Sequence, residues 1–325
     1  MTGFADHIDA PARSSPPPTD TVQLKHPGRA IAAVIAVFLA VVLLVSLVTN
    51  HRYQWSVVWH YLFNPQILQG LARTLILTVA AMTIAFVLGI VLAACRLSEN
   101  KVLSIAAGTY VWFFRGTPLL VQLIFWYYLS ALYPRLGIGI PFGGPVLVSG
   151  GTNAILNLWF VALLGLSLNE SAYMAEIVRG GLLSVPRQQS EAAKALGMSG
   201  WLAFRRIILP QALRVIVPPT GNQVIGMLKY SSLVSVIALP ELLYSAQLIY
   251  SQNFETIPLL IVVSIWYLVC TSVLSVIQHY VERYYGRGSH PAQAKKSLRQ
   301  RLPRRGRAPS QVMTASSVRV AGAEQ

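Results

Sequence analysis

The chain has 325 residues, of which 54% are hydrophobic and only 11% are charged. Soluble globular domains carry about 25% charged residues, so this composition excludes an ordinary soluble domain and indicates a membrane protein. The formal net charge of +15 would suit a nucleic-acid-binding protein, but the positions of the basic residues, described below, argue against that function.

The N-terminal part divides into a polar tail and an apolar segment. Residues 1–28 are polar and proline-rich, which predicts a disordered tail. The apolar run Ile31–Val48 is longer than the roughly 7–15 apolar residues of a cleaved signal peptide, and no A-x-A-like cleavage site follows it. We therefore interpret residues 29–49 as an extra N-terminal transmembrane helix.

Five further apolar segments are long enough to cross a membrane, which takes about 20 helical residues. Their approximate bounds are 71–95, 103–132, 154–177, 212–239 and 257–280. Alternating β patterns of about ten residues are absent. The predicted fold is therefore an all-α membrane protein, a bundle of about six transmembrane helices, and Pro218-Pro219 predicts a break in one of them.

The basic residues are divided very unequally between the two sides of these spans. On one side lie 21 Lys and Arg, and on the other only Arg52 and Arg135. Cytoplasmic segments carry the excess of Lys and Arg, so both termini are predicted to be cytoplasmic. Residues 284–325 form the most basic of these segments and are predicted to be a disordered cytoplasmic tail. The charge is thus a topology signal, and we expect no nucleic-acid partner.

The sequence offers no catalytic or metal-binding motif. Cys95 and Cys270 both lie in apolar spans, without a CxxC or a His/Cys ligand spacing, so neither a disulfide framework nor a metal site is expected. HExxH and GxSxG motifs are absent and the six histidines are scattered, so an intramembrane enzyme is not favoured.

A helix-forming segment, "EAAKALGMSGWLAFRRIILP" at 191–210, lies on the predicted cytoplasmic side. Ser190 is expected to cap a helix with Glu191 in its first turn, and Gly197 to end it. A second, amphipathic helix should follow, with Pro210 in the first turn of the next one. A helix lying on lipid is the alternative, but it does not require glutamate, two alanines and glycine at these offsets.

This segment resembles the EAA loop of ABC-importer permeases, in which EAA is followed by three residues, Gly, nine residues and Ile-x-Leu-Pro. The sequence has Glu191-Ala192-Ala193, Gly197 and Ile207-Ile208-Leu209-Pro210 at these spacings. Three other stretches resemble the polar-amino-acid branch of that family: "FFRGTPLLVQLIFWYY" (113–128), "ESAYMAEIVRGGLLSVPRQQ" (170–189) and "KYSSLVSVIALPELL" (229–243). The resemblance implies an ABC transmembrane type-1 permease domain at 70–283; the extra helix and both tails depart from it.

In this family the loop docks on a separate ATPase subunit, and we call residues 191–210 the coupling loop. The resemblance implies ATPase-coupling roles for Glu191, Ala192, Ala193, Gly197, Leu209 and Pro210. A P-loop needs Gly-Lys, a dipeptide that does not occur in the sequence, so the chain is expected to bind no cofactor while its partner uses ATP. The expected partners are ABC ATPase subunits, a second permease copy or paralogue, an extracytoplasmic solute-binding protein and the lipid of a bacterial inner membrane.

Charged and polar residues inside the spans are candidates for the solute path. They are Arg115, Thr117, Asn169, Glu170, Glu176, Lys229 and Ser231. A zwitterionic solute would need both signs of charge, but ion pairs of Glu170 or Glu176 with Arg115 or Lys229 would equally explain them. Gly116-Thr117-Pro118 either breaks a helix beside a cavity or marks a helix start.

The predicted function is that of the membrane subunit of an ATP-driven importer of a polar amino acid. The alternative is an ion-gradient-driven secondary amino-acid transporter. Such a transporter would be supported by inverted repeats with paired broken helices, whereas we identify one clear break and no matching repeat.

Overall fold

The computed structural model describes residues 27–139 and 146–285. The predicted tails, 1–28 and 284–325, lie almost entirely outside the described residues. In chain order the elements are α1 (Pro27–Thr49), a 3₁₀ turn (His51–Tyr53), α2 (Trp55–Leu62), α3 (Pro65–Leu97), α4 (Lys101–Gly116), α5 (Leu119–Tyr127), α6 (Leu129–Leu132), β1 (Arg135–Gly139), β2 (Val146–Gly151), α7 (Thr152–Ile155), α8 (Leu158–Leu183), α9 (Arg187–Ala195), α10 (Gly200–Ala203), a π-helical turn (Phe204–Ile208), α11 (Leu209–Tyr230), a 3₁₀ segment (Ser231–Ile237), α12 (Leu242–Asn253) and α13 (Thr256–Tyr285).

Asparagine caps begin three of the long helices. The side-chain oxygen of Asn64 accepts from the backbone N–H of Gln66 at 2.9 Å at the start of α3, where Pro65 occupies the first turn. Asn100 and Asn157 begin α4 and α8 in the same way. Each cap satisfies a backbone donor that the helix itself cannot pair.

Four of the described helices, α1, α3, α8 and α13, are individually long and apolar enough to cross a membrane. The helical run from Gly200 to Ile237 and α12 form a pair bent by 45°, which makes a fifth if counted as one span. The helical membrane bundle is therefore confirmed. The predicted span 103–132 does not qualify as a single helix, because it is divided into α4 and α5.

The double proline at Pro218-Pro219 does not break its helix, contrary to the prediction. Both residues lie inside α11, which continues to Tyr230. The chain departs from α-helical geometry later, in the 3₁₀ segment. The side-chain amide of Gln278, on α13, donates to the carbonyl of Pro218 at 2.8 Å. A neighbouring helix thus satisfies a backbone group near the prolines, as membrane helices commonly require.

Close packing of α3 on α8 forms the centre of the bundle. A Cβ placed on Gly89 would lie 2.5 Å from the Cβ of Met174 and 3.1 Å from the backbone nitrogen of Ala175. Only glycine permits this approach of two helices. The surrounding buried core draws on α3, α5, α8, α11 and the 3₁₀ segment, and its members are Leu77, Ala81, Met82, Leu123, Val161, Ala162, Leu166, Met174, Met227, Val234, Ile237 and Leu239.

A second buried core joins α2, α3, α12 and α13. Its members are Val58, Leu62, Ile67, Leu242, Ala246, Leu259, Val262 and Val263. By contrast, the described side chains of α1 are all exposed, so this extra helix lies outside both cores. It meets the bundle where the indole N–H of Trp55 donates to the carbonyl of Leu47 at 2.8 Å.

A short antiparallel hairpin, β1–β2, interrupts the otherwise helical chain between α6 and α7. Arg135 pairs with Gly151, and the register shifts between Ile138 and Gly139. The stretch is rich in glycine, and residues 140–145 lie outside the described part of the chain.

Candidate functional site

The break between α4 and α5 has a defined structure, built around one carbonyl. Because Pro118 has no N–H, the carbonyl of Phe114, four residues earlier, cannot receive the usual helical hydrogen bond. The side-chain amides of Asn169 and Gln122 donate to it instead, at 2.9 and 3.1 Å. The amide of Gln122 also donates to the hydroxyl oxygen of Thr117 at 2.6 Å. The carbonyl exposed by the helix break at Gly116-Thr117-Pro118 is therefore fully paired by side chains.

This break forms one wall of a cavity of about 440 Å³, which we call the central cavity. Residues of α8, α11 and the 3₁₀ segment complete it. Its lining consists of Arg115, Gly116, Thr117, Pro118, Leu119, Asn169, Glu170, Tyr173, Gln223, Tyr230 and Leu233. The volume lies in the range of small-molecule pockets, about 300–1,000 Å³.

The central cavity contains one acidic and one basic side chain, Glu170 and Arg115. Glu170 is only 2% exposed, and its Oε1 is buried without a hydrogen-bond partner among the described residues. Arg115 is exposed, with its guanidinium carbon 5.2 Å from the centroid of the Tyr173 ring. A buried carboxylate oxygen without a donor is unfavourable, so the cavity presents an acceptor for a cationic ligand and a separate cation for an anionic group.

The structure brings four of the seven predicted solute-path residues to the central cavity: Arg115, Thr117, Asn169 and Glu170. Glu176, Lys229 and Ser231 do not line it. Within residues 27–139 and 146–285, neither Arg115 nor Lys229 forms an ion pair.

Glu176 pairs with other residues than those expected. One of its carboxylate oxygens lies 2.7 Å from Nη2 of Arg179, and the other lies 3.8 Å from Nε of Arg96. Arg179 is three residues further along the same helix, a spacing that brings side chains together. Ser231 is buried and donates its hydroxyl to the carbonyl of Leu228 at 2.7 Å. Both residues therefore have local partners away from the cavity.

The sequence analysis did not identify two polar residues that have structural roles here. The first is Gln122, described above, whose signal was a lone amide four residues after a proline. The second is Glu241, which is fully buried. Its carboxylate accepts from the backbone N–H of Tyr244 at 2.8 Å, the hydroxyl of Tyr267 at 3.1 Å and the hydroxyl of Thr74 at 3.3 Å. Glu241 thus caps α12 and ties it to α3 and α13, and a glutamate directly before an apolar helix was the available signal.

The first helix of the coupling loop begins earlier than predicted. α9 starts at Arg187, directly after Pro186. Ser190 therefore lies inside the helix and is not its cap, and Glu191 lies in its middle rather than in the first turn. The proline explains the difference, because a preset φ near −65° suits a helix start.

Gly197 ends α9 as predicted. Its φ is +71°, its N–H donates to the carbonyl of Lys194 at 2.9 Å, and the N–H of Met198 donates to that of Ala193 at 3.0 Å. This pair of bonds is the Schellman arrangement, which needs a left-handed residue at this position. The glycine is exposed, and a Cβ placed on it would meet nothing within 4 Å.

The second half of the coupling loop is helical and continuous with α11. Ser199 caps α10 through its side-chain oxygen, and the π-helical turn leads directly into α11, with Pro210 in its first turn. A π turn is a local irregularity in a helix, and here it ends two residues before Pro210, which has no backbone N–H to donate.

The outer surface of the coupling loop combines polar and apolar side chains. Glu191, Ala192 and Pro210 are exposed, Leu209 is half-buried and Ala193 is buried. Two large apolar side chains stand out, because Leu196 is 80% and Trp201 is 71% exposed. Apolar side chains exposed beside polar ones suit a surface that is covered either by another protein or by lipid.

Comparison with known proteins gives consistent matches. Residues 85–286 match the family described as "Binding-protein-dependent transport system inner membrane component". The chain is 45% identical over 278 residues to the "Arginine transport system permease protein ArgU" of Corynebacterium glutamicum, covering 85% of this chain and 86% of that protein. It is 39% identical over 211 residues to the "Nopaline transport system permease protein NocM" of Agrobacterium fabrum, covering 65% and 84%.

A solved structure agrees in fold. The "Crystal structure of an amino acid ABC transporter with histidines" contains a chain that superposes with a TM-score of 0.58 at 34% sequence identity. The match covers 68% of this chain and 95% of that chain.

Proposed function

This chain belongs to the family of binding-protein-dependent transport system inner membrane components, and on that premise we propose that it is the subunit through which a polar amino acid enters the cytoplasm. Membership makes it a multi-pass inner-membrane permease and a transporter component rather than an enzyme. The family implies an ATPase and a binding protein as partners. The comparisons support the ATP-driven importer and not the ion-gradient-driven secondary transporter.

The observation that carries the choice of solute is the unpaired carboxylate oxygen of Glu170 in the central cavity. A buried charge is stable only when it is paired and hydrogen-bonded. A cationic group of the solute would supply that partner. Arg115 lies in the same cavity, and a guanidinium is suited to a carboxylate because its planar fork matches the two oxygens. The cavity is therefore complementary to an amino acid, and we infer that arginine, named in the relative from Corynebacterium glutamicum, is the first solute to test.

We propose further that the coupling loop is the docking surface for the ATPase. The exposed Leu196 and Trp201 would fill apolar pockets on the partner, and the exposed Glu191 and Ala192 would lie at the rim. Large apolar side chains surrounded by polar ones form the usual centre of a protein interface. In this proposal ATP binds to the partner alone, and this chain binds no cofactor.

The assembly we propose contains two permease chains, either two copies of this chain or one copy and a paralogue. Both termini would lie in the cytoplasm, as the 21-to-2 division of Lys and Arg indicates. This orientation puts the coupling loop and both ATPase subunits on one side of the membrane.

The direct test uses the permease reconstituted with its ATPase and binding protein in vesicles. ATP-dependent uptake of radiolabelled arginine is measured for the wild type, Glu170→Gln and Glu99→Gln. Glu99 is an exposed loop residue and controls for loss of a negative charge. We expect Glu170→Gln to lose most uptake at normal membrane abundance, and Glu99→Gln to match the wild type. Full uptake by Glu170→Gln would refute the role of the central cavity; import that needs an ion gradient instead of ATP would refute the function itself.

A further inference from the structure

A second cavity, of about 300 Å³, lies between the end of α11 and the middle of α13. We call it the lysine cavity, and its lining consists of Lys229, Ser232, Ser264, Tyr267, Leu268 and Thr271. We propose that it is a second solute site, which binds the zwitterionic head group of an α-amino acid: Lys229 would hold the carboxylate, and hydroxyl oxygens would hold the α-ammonium. This inference rests on the proposed function for the class of solute.

The position of Lys229 calls for an anion. Lys229 is an exposed side chain at the end of α11, and it lines the cavity opposite residues 264–271, near the middle of α13, a helix of 30 residues. In the part of the chain that the structure describes, Lys229 has neither an ion pair nor a side-chain hydrogen bond. A charged side chain within a predicted membrane span is costly and marks a candidate functional site.

The carboxylate that comes nearest in the hydrogen-bond network, Glu241, does not serve as that partner. It contacts the lysine cavity only through Tyr267, whose hydroxyl donates to Glu241 at 3.1 Å. Its remaining acceptor positions receive Thr74 and a backbone N–H, and it makes no ion pair with Lys229 within the described ranges. No carboxylate among the described residues pairs with Lys229, so its ammonium is available to a bound anion.

The hydroxyl groups that line the lysine cavity would bind the α-ammonium group of the solute. Ser232 and Ser264 donate to backbone carbonyls at 2.7 and 2.8 Å, and Thr271 does so at 2.7 Å. Since each proton is used within the protein, the hydroxyl oxygens are left as acceptors. Acceptors beside a single cationic donor are complementary to a carboxylate and an ammonium held on the same carbon, which is the head group that all α-amino acids share.

The two cavities lie on different faces of one turn. Lys229 and Ser232 line the lysine cavity, whereas Tyr230 and Leu233 line the central cavity. Consecutive residues of a helix point about 100° apart, so the end of α11 is the partition between the sites. A solute held by its charged groups in the central cavity and by its head group in the lysine cavity could be passed around this partition.

Equilibrium binding of radiolabelled L-arginine to the purified permease–ATPase complex in lipid nanodiscs tests the proposal. We expect two sites per permease chain in the wild type and one in Lys229→Met, with Lys229→Arg keeping both. Glu170→Gln should lose the other site.

The retained site controls for folding, because a misfolded Lys229→Met protein would lose both sites. A single site per chain in the wild type, abolished by Glu170→Gln, would overturn the second site and leave the proposed function intact. Two sites that persist in Lys229→Met would also overturn it. Absence of all arginine binding in the wild type would refute the proposed solute together with this inference.

Discussion

Replacing Gly197 by valine isolates the role of the coupling loop. The residue has a φ of +71° and is exposed, and an added Cβ would meet nothing within 4 Å. The free-energy cost of the substitution therefore comes only from the backbone conformation and not from steric contacts. A left-handed conformation costs an L-residue about 1–2 kcal/mol, and a β-branched residue is a more severe outlier there. A penalty of this size reduces the population of the native turn by about 5- to 30-fold.

The consequence should be functional rather than a loss of the protein. Both buried cores lie away from this exposed turn, so insertion and membrane abundance should match the wild type. Uptake and the amount of co-purified ATPase should fall by about an order of magnitude, in line with the lost turn population. Gly197→Asn should retain most of both, because asparagine tolerates the left-handed region. Gly200→Val is the matched control, since an added Cβ there also meets nothing and its φ is not positive.

Two outcomes would contradict this reasoning. Equal uptake by the valine and asparagine variants of Gly197 would remove the backbone argument. The alternative of a helix that merely lies on lipid predicts a different ranking, in which Trp201→Ala is the most damaging change and Glu191→Lys has little effect. Measurement of uptake, abundance and ATPase co-purification for this set distinguishes the two.

Three further predictions concern the packing of the bundle and its orientation in the membrane. Gln122→Leu leaves the carbonyl of Phe114 with one donor instead of two, so we expect the free energy of unfolding to fall by about 1–3 kcal/mol. This loss should be measurable as a lower Tm, and an unchanged Tm would contradict a stabilising role for the hydrogen bond from Gln122. Gly89→Val should block the approach of α3 to α8 and lower membrane abundance, measured by immunoblot, and normal abundance would count against tight packing. In a background without native cysteines, a cysteine at position 56 should react with an impermeant reagent from outside, and one at position 305 only after permeabilisation; the reverse pattern would refute the orientation.

Much of the fold follows from sequence because membrane helices are specified locally. Long apolar runs predicted α1, α3, α8 and α13, since about 20 apolar residues suffice to cross a bilayer. Gly197 could be identified as a helix end because only a residue that accepts positive φ fits there. Glycine and proline after Arg115 left two interpretations open, a helix break or a helix start, and the structure has the break, between α4 and α5.

What could not be predicted depends on neighbours distant in sequence. The local sequence at Pro218-Pro219 predicts a helix break. The side-chain amide of Gln278, on another helix, instead donates to the carbonyl of Pro218. Glu176 could not be paired with Arg96 without knowing how α3 and α8 pack, whereas its pairing with Arg179, three residues further along α8, is local. Likewise, the charge of Lys229 was evident in the sequence, while its separation from the central cavity depends on the direction in which one turn of α11 points.

The uninterrupted helix from the coupling loop to the central cavity has a mechanical consequence. From Gly200 to Tyr230 the chain is helical without an intervening loop, a distance of about 46 Å. A force applied at Trp201 would therefore be transmitted along a continuous helix to the cavity wall, because no loop intervenes that could absorb the displacement. The π-helical turn and Pro218-Pro219 are the points along this helix where bending is easiest. A displacement of the cytoplasmic end could therefore move Tyr230 by rotation of the helix, by its translation, or by both.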